Sequence, residues 1–363
     1  MGCHWAIPAL EALMPDDFIS RIQYTQVDPN VPTSDADRLP FINGQTGERI
    51  GEIQSSKFYR LRRDKFRKLL MEGIDVKWGK GLTDVRYSPD NKTVTAQFAN
   101  GTEDTGSLLI GCDGTHSTVR ELLVGVERAK VTPTDFATTM CFSKHTREHA
   151  LFLRSKPFHP LYQVAPHPNG YFGWLSLHDG DDREHPENWT FFHYISYPES
   201  RKVENGKSNA KHLAYQKELA KEFCAPFSSV FEWTPDDSPV WYGKLRQWDP
   251  TEPGHSWENH EGRITLAGDA AHPMTFQRGQ GVNHALKDAY ELCKRIEGIW
   301  DSGEFSLERK LEAIVAYEDE MIPRGGEEVR LSEANSVAMH DWEKVMQSPS
   351  INKGMHVPFK AAR

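Results

Sequence analysis

The sequence predicts an α/β protein that is interrupted by an antiparallel β-rich insertion and followed by a helical tail. Two buried-strand patterns, "SLLIGCDG" and "RITLAGD", each end in a loop that contains Gly and Asp and leads into a helix. Between them, aromatic and β-branched stretches alternate with turn residues, which is typical of antiparallel strands. We therefore expect a first α/β part over 1–125, the insertion over 126–258, a return to the first domain over 259–300 and a helical segment over 301–363.

The N-terminal part contains two predicted helices, a loop and several short strands. The helices are "HWAIPALEALM" and "LRRDKFRKLLMEG"; in the second, Phe66, Leu69 and Leu70 share one face. Residues 29–48 are rich in Pro, Asp, Asn and Gly and predict a loop. The stretch that begins at Gly79 has the pattern G-x-G-x-x-D, but a strand follows it instead of a helix, so we do not expect it to bind phosphate.

The insertion is predicted to be a sheet with one helix beside it. The strand patterns are "DFATTMCF", "LYQVAPHPNGYFGWLSL" and "WTFFHYISY", and "KHLAYQKELAKEF" is the helix. The last strand alternates apolar and aromatic side chains that could line a substrate pocket, although such alternation more often marks the core of a sheet. The alternating residues are Trp189, Phe191, His193, Ile195 and Tyr197.

Composition excludes several classes of function. The 363 residues carry a net charge of −9, so no overall positive field favours nucleic acid, and the basic run "YRLRRDKFRK" is best explained as a solvated helix face. Five scattered cysteines without CxxC spacing indicate neither a disulfide framework nor a zinc site, and favour a reducing compartment such as the cytoplasm. No stretch is apolar enough to span a membrane, and no metal site is expected from His145 and His149. The oligomeric state stays open.

The loop "GDAAHPMTFQRGQGVN" has a composition that lets a ligand come close to its backbone. Its glycines and alanines remove side-chain bulk, and the following helix begins with free N–H groups and a partial positive charge that favour an anion or an electron-rich ring edge. Asp269, at the end of the strand, could accept hydrogen bonds from ligand hydroxyls. Spacing alone leaves open an ordinary connection between a strand and a helix.

The loop "GCDGTHSTVR" repeats this arrangement. Asp113 follows a buried strand, Gly114 can adopt a positive φ, and Arg120 lies one helical turn beyond Ser117. The alternative is a capped helix start in which Asp113 or Ser117 accepts hydrogen bonds from the first amides of the helix.

Taken together, the two loops resemble the motifs of FAD-dependent, aromatic-hydroxylase-like monooxygenases. "CDGTHSTVR" is similar to the Asp-Gly motif of that family, "GDAAHPMTFQRGQGVNHALKDA" to its Gly-Asp motif, and "RRDKFRKLL" to its Arg-x-x-Leu helix start, with Phe66 in the Leu place. The resemblance implies an FAD/NAD(P)-binding Rossmann-like domain. The cofactor-binding residues that it implies are Arg63, Asp113, Gly268, Asp269, Gly279, Gly281, Val282 and Asn283.

The resemblance also implies the reaction. Asp269 would bond the ribityl chain of FAD, and the helix that begins near Gly281 would face the pyrimidine end of the flavin. NAD(P)H would supply electrons, and O₂ would supply the oxygen that hydroxylates or epoxidises an aromatic or polycyclic small molecule of secondary metabolism. No residue is assigned as catalytic acid or base.

Two features depart from the family pattern. Phe276 stands where the family usually has a Pro, and the G-x-G-x-x-G loop that binds the FAD pyrophosphate is not found in these 363 residues. We therefore expect an N-terminally truncated FAD-binding domain, whose first strand, helix and second strand would lie upstream of Met1. The alternative is a cofactor-free or FAD-impaired relative that acts as a small-molecule binding protein or as a cyclase or isomerase.

Overall fold

The computed structural model describes residues 1–201, 208–301 and 306–353. Its strands form four sheets, of which one contains seven strands. The strands are β1 (Gly2–Cys3), β2 (Ala36–Ile42), β3 (Arg49–Ser56), β4 (Tyr59–Arg60), β5 (Leu82–Tyr87), β6 (Val94–Phe98), β7 (Glu103–Gly106), β8 (Leu109–Gly111), β9 (Thr132–Ser143), β10 (Tyr162–His167), β11 (Tyr171–Asp179), β12 (Thr190–Pro198), β13 (Val240–Gln247) and β14 (Ile264–Leu266).

The helices are α1 (Ile7–Leu13), α2 (Asp16–Arg21), α3 (Arg63–Leu70), α4 (Thr118–Val124), α5 (Val126–Ala129), α6 (Arg147–Leu153), α7 (Asn209–Ala220), α8 (Phe227–Glu232), α9 (Gly281–Asp301), α10 (Leu307–Met339) and α11 (Pro349–Lys353). The two longest helices of the described residues, α9 and α10, lie in the last third of the chain. Within the described residues, no helix combines the length and the apolar character that a membrane span requires.

The α/β part is centred on a pair of parallel strands, β14 and β8, in which Ile264 lies opposite Leu109. Side chains from α4, α9 and α10 pack against this pair and bury β14 completely, whereas Ile110 of β8 stays exposed. Because parallel strands run in the same direction, the loops after β8 and β14 leave the pair at the same edge. The two loops that the sequence singles out are therefore neighbours.

The large sheet has the strand order β13-β9-β12-β11-β10-β2-β3. All its neighbouring strands are antiparallel except β10 and β2, which meet in parallel where Val164 lies opposite Phe41. The predicted strands and helix of the insertion are present. The sheet also contains β2 and β3, which lie within the 1–125 range.

Strand β2 lies within residues 29–48, where the sequence predicts a loop, and this prediction was wrong for Ala36–Ile42. The segment is rich in turn-forming residues, but Leu39 and Phe41 are spaced two apart and both are buried against the large sheet. Burial of this alternating pair and pairing with β3 outweigh the weak intrinsic strand preference of Asp and Pro.

Both faces of the large sheet are apolar. One face packs against α7 and α8 and contains Phe191, Ile195 and Tyr197 of β12. The opposite face contains the intervening residues Phe192 and Tyr194 and is directed toward the α/β part. The alternating set of β12 that contains Phe191, Ile195 and Tyr197 therefore belongs to the core of the sheet. The cavity is lined by the intervening residues Phe192 and Tyr194 instead.

Candidate functional site

Arg120 connects the two loops at the edge of the parallel strands. Its guanidinium is buried, and it donates to the carbonyl oxygens of Thr115 at 2.6 Å, Ala270 at 2.8 Å and Ala129 at 2.9 Å. The group also lies over the ring of Trp248. One cation thus fixes the spacing of both loops by donating to backbone carbonyl oxygens.

Asp113 uses its carboxylate within its own loop. It accepts hydrogen bonds from the Ser117 hydroxyl and from the Val119 N–H, the latter at 3.1 Å, while Ser117 caps α4 by accepting the Arg120 N–H at 2.9 Å. These contacts are those of a capped helix start. The side chain of Asp113 does not line the cavity described below.

Asp269 lies on the other side of the same edge and borders a cavity. Its carboxylate is exposed and has neither a hydrogen bond nor an ion pair with any described residue. A Cβ added to Gly281 would lie in ordinary contact with Asp269 Oδ1, at 3.5 Å, so the start of α9 lies directly beside this carboxylate. Gly279 has a φ of +65°, which a residue with a side chain would adopt only with strain.

The start of α9 fits the pyrimidine edge of a flavin. In the described part of the chain, the backbone N–H groups of Gly281 and Val282 donate no hydrogen bond to protein, and both residues line the cavity. Free amides at a helix N-terminus favour a carbonyl or an anionic ring edge. With the free carboxylate of Asp269 for ribityl hydroxyls, these donors and acceptors match the isoalloxazine and ribityl part of FAD.

Asn283 and Arg63 lie apart from this cavity lining. The Asn283 side chain is fully buried: its Oδ1 accepts from the His4 N–H at 2.9 Å, and its Nδ2 donates to the Gly2 carbonyl at 3.0 Å. It therefore holds the strand β1 segment against α9. Arg63 is the exposed first residue of α3, and no described residue forms an ion pair with it.

Gly268 and the loop after it rest on a buried carboxylate. Asp288 of α9 accepts the Gly268 N–H at 2.7 Å and lies 2.7 Å from His272 Nε2, and its other oxygen accepts from Arg324 of α10 at 2.7 Å. Burial alone would raise the pKa of Asp288, but His272 and Arg324 outweigh it and hold the pKa well below its usual range. The loop is thus held by hydrogen bonds to Asp288 of α9, which Arg324 of α10 holds in turn.

The same network reaches the cavity wall. Arg324 Nη1 lies 2.9 Å from His284 Nδ1, His284 lies 3.6 Å from Glu328, and Glu328 is paired with Arg278. Arg278 lines the cavity beside Gly279. The side chains of Arg278 and Glu328 are almost completely buried, so this pair is shielded from solvent and rigidly placed.

The cavity has a volume of about 290 Å³ and lies between the large sheet and the loop of Asp269. Aromatic and aliphatic side chains of the sheet form one wall, and the glycines before α9 form the other. The lining includes Leu39, Phe41, Ile53, Phe58, Arg60, Val164, Phe172, Trp174, Phe192, Tyr194, Asp269, Met274, Phe276, Gln277, Arg278, Gly279, Gly281, Val282, Asn335 and Met339. A mostly apolar cavity with a few polar groups is the usual form of a small-molecule site.

Sequence reasoning missed the sheet side of this site. Phe172, Trp174, Phe192 and Tyr194 come from β11 and β12, at the positions between the core residues. The available signal was that both alternating sets of these strands are aromatic, which predicts a sheet buried on both faces. Arg60 gave no comparable signal, because it lies in the basic run that the sequence assigned to a solvated face.

Phe276, at the place where the family usually has a Pro, points to the same cavity. It opens a short 3₁₀ turn, Phe276–Arg278, and its ring meets Tyr194 edge to face at 5.4 Å between ring centroids. The departure from the family pattern therefore adds an aromatic contact between the glycine-rich loop and the sheet.

Known proteins are similar to this chain in sequence. The model of an FAD binding domain matches residues 253–303, which include Asp269 and Gly281. The chain is 39% identical to the FAD-dependent monooxygenase cctM of Talaromyces islandicus, over 98% of this chain and 86% of that protein. It is 34% identical to the FAD-dependent monooxygenase phnB of Penicillium herquei, over 98% and 84%. The chain belongs to the FAD-dependent monooxygenase family.

Solved structures show the same fold at lower identity. Klebsiella pneumoniae HpxO, determined with FAD and uric acid, superposes with a TM-score of 0.68 at 16% identity and covers 98% of this chain and 83% of its own. The 2,6-dihydroxypyridine-3-hydroxylase of Arthrobacter nicotinovorans gives a TM-score of 0.62 at 15% identity, over 96% and 84%. These likenesses confirm the predicted α/β fold with an antiparallel sheet domain.

Membership of this family confirms the monooxygenase interpretation and FAD as the cofactor. The alternative of a cofactor-free binding protein, cyclase or isomerase is not favoured by these relatives. Among the described residues, no group of three or more His, Cys, Asp and Glu side chains is arranged to hold a metal ion.

Proposed function

We propose that this monooxygenase inserts one oxygen atom from O₂ into an aromatic or polycyclic small molecule of secondary metabolism, with NAD(P)H as reductant. One observation carries the proposal: the aromatic cavity is bounded on one side by the sheet and on the other by the free carboxylate of Asp269 and the free amides of Gly281 and Val282. A flat substrate and a flavin edge can therefore meet in one enclosed space.

The cofactor side is assigned to the residues of the second loop. Asp269 would accept hydrogen bonds from the ribityl chain, and Gly279, Gly281 and Val282 would present backbone to the pyrimidine edge. An FAD bound there would supply two-electron chemistry with NAD(P)H and the activation of O₂, of which one oxygen atom would reach the substrate and the other would leave as water. The positive end of α9 stabilises negative charge at that edge.

The other predicted cofactor-binding residues do not line the cavity, and three of them hold its surroundings in place. Gly268 sets the loop through its N–H bond to Asp288, Asp113 caps α4 beside the cofactor, and Asn283 holds the first strand against α9. Arg63, exposed at the start of α3, is available to a phosphate or adenine group. We assign the cofactor to the parts 1–125 and 259–300, the substrate to 126–258 together with β2, β3 and residues 58–60, and the closing wall of the cavity to the tail 301–363.

The substrate side excludes water from the reacting atoms. Phe172, Trp174, Phe192 and Tyr194 provide an apolar wall on which an aromatic ring can pack, and Met339 of α10 closes the cavity from the tail. Exclusion of water favours oxygen transfer over wasteful loss of the reducing equivalents. All five cysteines are free thiols, which is consistent with a reducing compartment, and we propose the cytoplasm.

The test is a coupled turnover assay on the protein reconstituted with FAD. Naphthols of a size that fits the cavity are incubated with NADPH or NADH under isotopically labelled O₂, and products are analysed by mass spectrometry. The proposal predicts a product that carries one labelled oxygen atom and requires the nicotinamide. Nicotinamide oxidation without any labelled product across phenols, naphthols and larger polycycles would reject it.

A further inference from the structure

Arg60 is a cation in the wall of the cavity without a neutralising partner. In the part of the chain that the structure describes, no carboxylate lies within ion-pair distance of its guanidinium. Among the described residues, the side chain makes one hydrogen bond, from Nη2 to the Ser176 hydroxyl at 3.1 Å, while Nε is buried without a partner and Nη1 donates to no described group. Most of the donors of this guanidinium are therefore unused.

Arg60 is held in place on the sheet. Its guanidinium carbon lies 5.5 Å from the ring centroid of Trp174, and Ser176, which binds Nη2, also accepts from Trp174 Nε1 at 2.9 Å. Trp174 stacks with Tyr194, and Tyr194 meets Phe276 of the glycine-rich loop. The cation thus lies along the same aromatic wall that leads to the proposed flavin edge.

No carboxylate pairs with Arg60 among the described residues, although Asp269 borders the same cavity and Asp37 accepts a hydrogen bond from the Tyr162 hydroxyl. The groups whose charges act on it come from three elements of the sheet and from the first residue: the hydroxyls of Tyr162 and Tyr194, the imidazole of His178 and the amino group of Met1. Burial lowers the pKa of Arg60 to about 10, so the side chain stays protonated at neutral pH. Arg60 is half-buried, and a cation that is partly withdrawn from water without a partner is costly unless a ligand compensates it.

We propose that Arg60 is a specificity-determining residue that binds an anionic oxygen attached to the aromatic ring of the substrate. This inference rests on the proposed function, because it takes the aromatic cavity as the substrate site. A guanidinium with free donors and an aromatic wall beside it recognises a phenolate or a carboxylate and stacks the attached ring. A neutral ring without such an oxygen would leave the cation unpaired.

The test is a binding titration without turnover. Wild-type protein is titrated with 2-naphthoate and its methyl ester, and separately with 2-naphthol and 2-methoxynaphthalene at several pH values. One charge-assisted pair predicts that the anion binds about 10- to 100-fold more tightly than its neutral analogue. The two probe pairs distinguish a carboxylate from a phenolate, since ionisation of the bound naphthol is visible in its absorbance spectrum.

Three variants assign the effect to Arg60. In Arg60→Gln, we expect the preference for the anion to disappear and the bound naphthol to ionise at higher pH. Arg60→Lys should restore part of both effects. Arg38→Gln, which removes an exposed strand arginine outside the cavity that pairs with Glu52, should leave both unchanged.

Several results would overturn the inference. They are equal binding of anion and neutral analogue by the wild type, a preference that survives in Arg60→Gln, an equal loss in Arg38→Gln, or a loss of FAD binding in Arg60→Gln with unchanged probe binding. If Arg60→Gln does not fold, the wild-type preference and the behaviour of Arg60→Lys decide. Absence of oxygen transfer with an intact, Arg60-dependent preference would instead reject the proposed function alone.

Discussion

Replacement of Asp288 by Asn should strongly destabilise the protein, because this carboxylate is the buried anchor of the Gly268–Asp269 loop. Asp288 is fully buried and receives three donors at 2.7 Å, from Gly268, His272 and Arg324. Asn has nearly the same shape, so the substitution changes charge and hydrogen bonding with little change in volume.

The magnitude follows from the geometry of these three contacts. Asn offers one acceptor oxygen and one NH₂ donor, so in either orientation a donor faces a donor and at least one charge-assisted bond is lost. Arg324 keeps its two contacts with Glu320, at 2.8 and 3.0 Å, which limits the cost on that side. Breaking one side of such a buried network costs about 3–5 kcal/mol.

Urea unfolding of wild type and Asp288→Asn, followed by circular dichroism, measures this loss. Asp135→Asn is the matched control, because Asp135 is an exposed carboxylate outside the cavity; its unfolding free energy should change by at most about 0.5 kcal/mol. A loss below about 1 kcal/mol in Asp288→Asn would refute the idea that this network holds the loop.

The same carboxylate sets part of the acid sensitivity. Since the pKa of Asp288 is lower in the folded state than in the unfolded chain, its stabilising contribution is present above the unfolded value of about 4 and is lost as the pH falls below it. Asp288→Asn should therefore show a weaker dependence of unfolding free energy on pH below about 4. An unchanged pH dependence would contradict the assignment.

Two further predictions concern other buried contacts. A Cβ at Gly326 of α10 would lie 2.5 Å from Asp249 Oδ1, so Gly326→Ala should lower the unfolding free energy by about 1–3 kcal/mol. Gly298→Ala in α9, where an added Cβ has no atom within 4 Å, should raise it by about 0.5–1 kcal/mol. Urea titration of both variants measures this difference, and equal effects would contradict the prediction. Burial lowers the pKa of His340 to about 4, so folding favours its neutral form and the protein loses stability as the pH falls from about 6.5 toward 4. His340→Gln should therefore weaken the pH dependence of the unfolding free energy between these values. An unchanged pH dependence would contradict this prediction.

The sequence predicted the α/β units and the position of the glycine-rich loop because these depend on local patterns. A strand followed by Gly, Asp and a helix is visible in the residues themselves, and parallel pairing then brings the loops of Asp113 and Asp269 to one edge. Family resemblance added the cofactor, which spacing alone left open.

The sheet wall and the charged network could not be predicted in the same way. Phe41 and Tyr194 are far apart in sequence and come together only through the order of the large sheet. Arg60 and Asp288 carry no local signal, since an isolated Arg or Asp in a strand or helix is usually solvated. Their environment depends on which elements pack around them, which is a property of the tertiary structure.

Titration of FAD into wild type, Asp269→Ala and Asp135→Ala, followed by flavin fluorescence, tests the central claim most directly. The claim is that the free carboxylate of Asp269 beside Gly281 binds the ribityl chain. We expect Asp269→Ala to weaken FAD binding by about 10- to 100-fold, the effect of losing one hydrogen bond to a charged group, and Asp135→Ala to bind like wild type. Equal affinity of all three proteins would contradict the account.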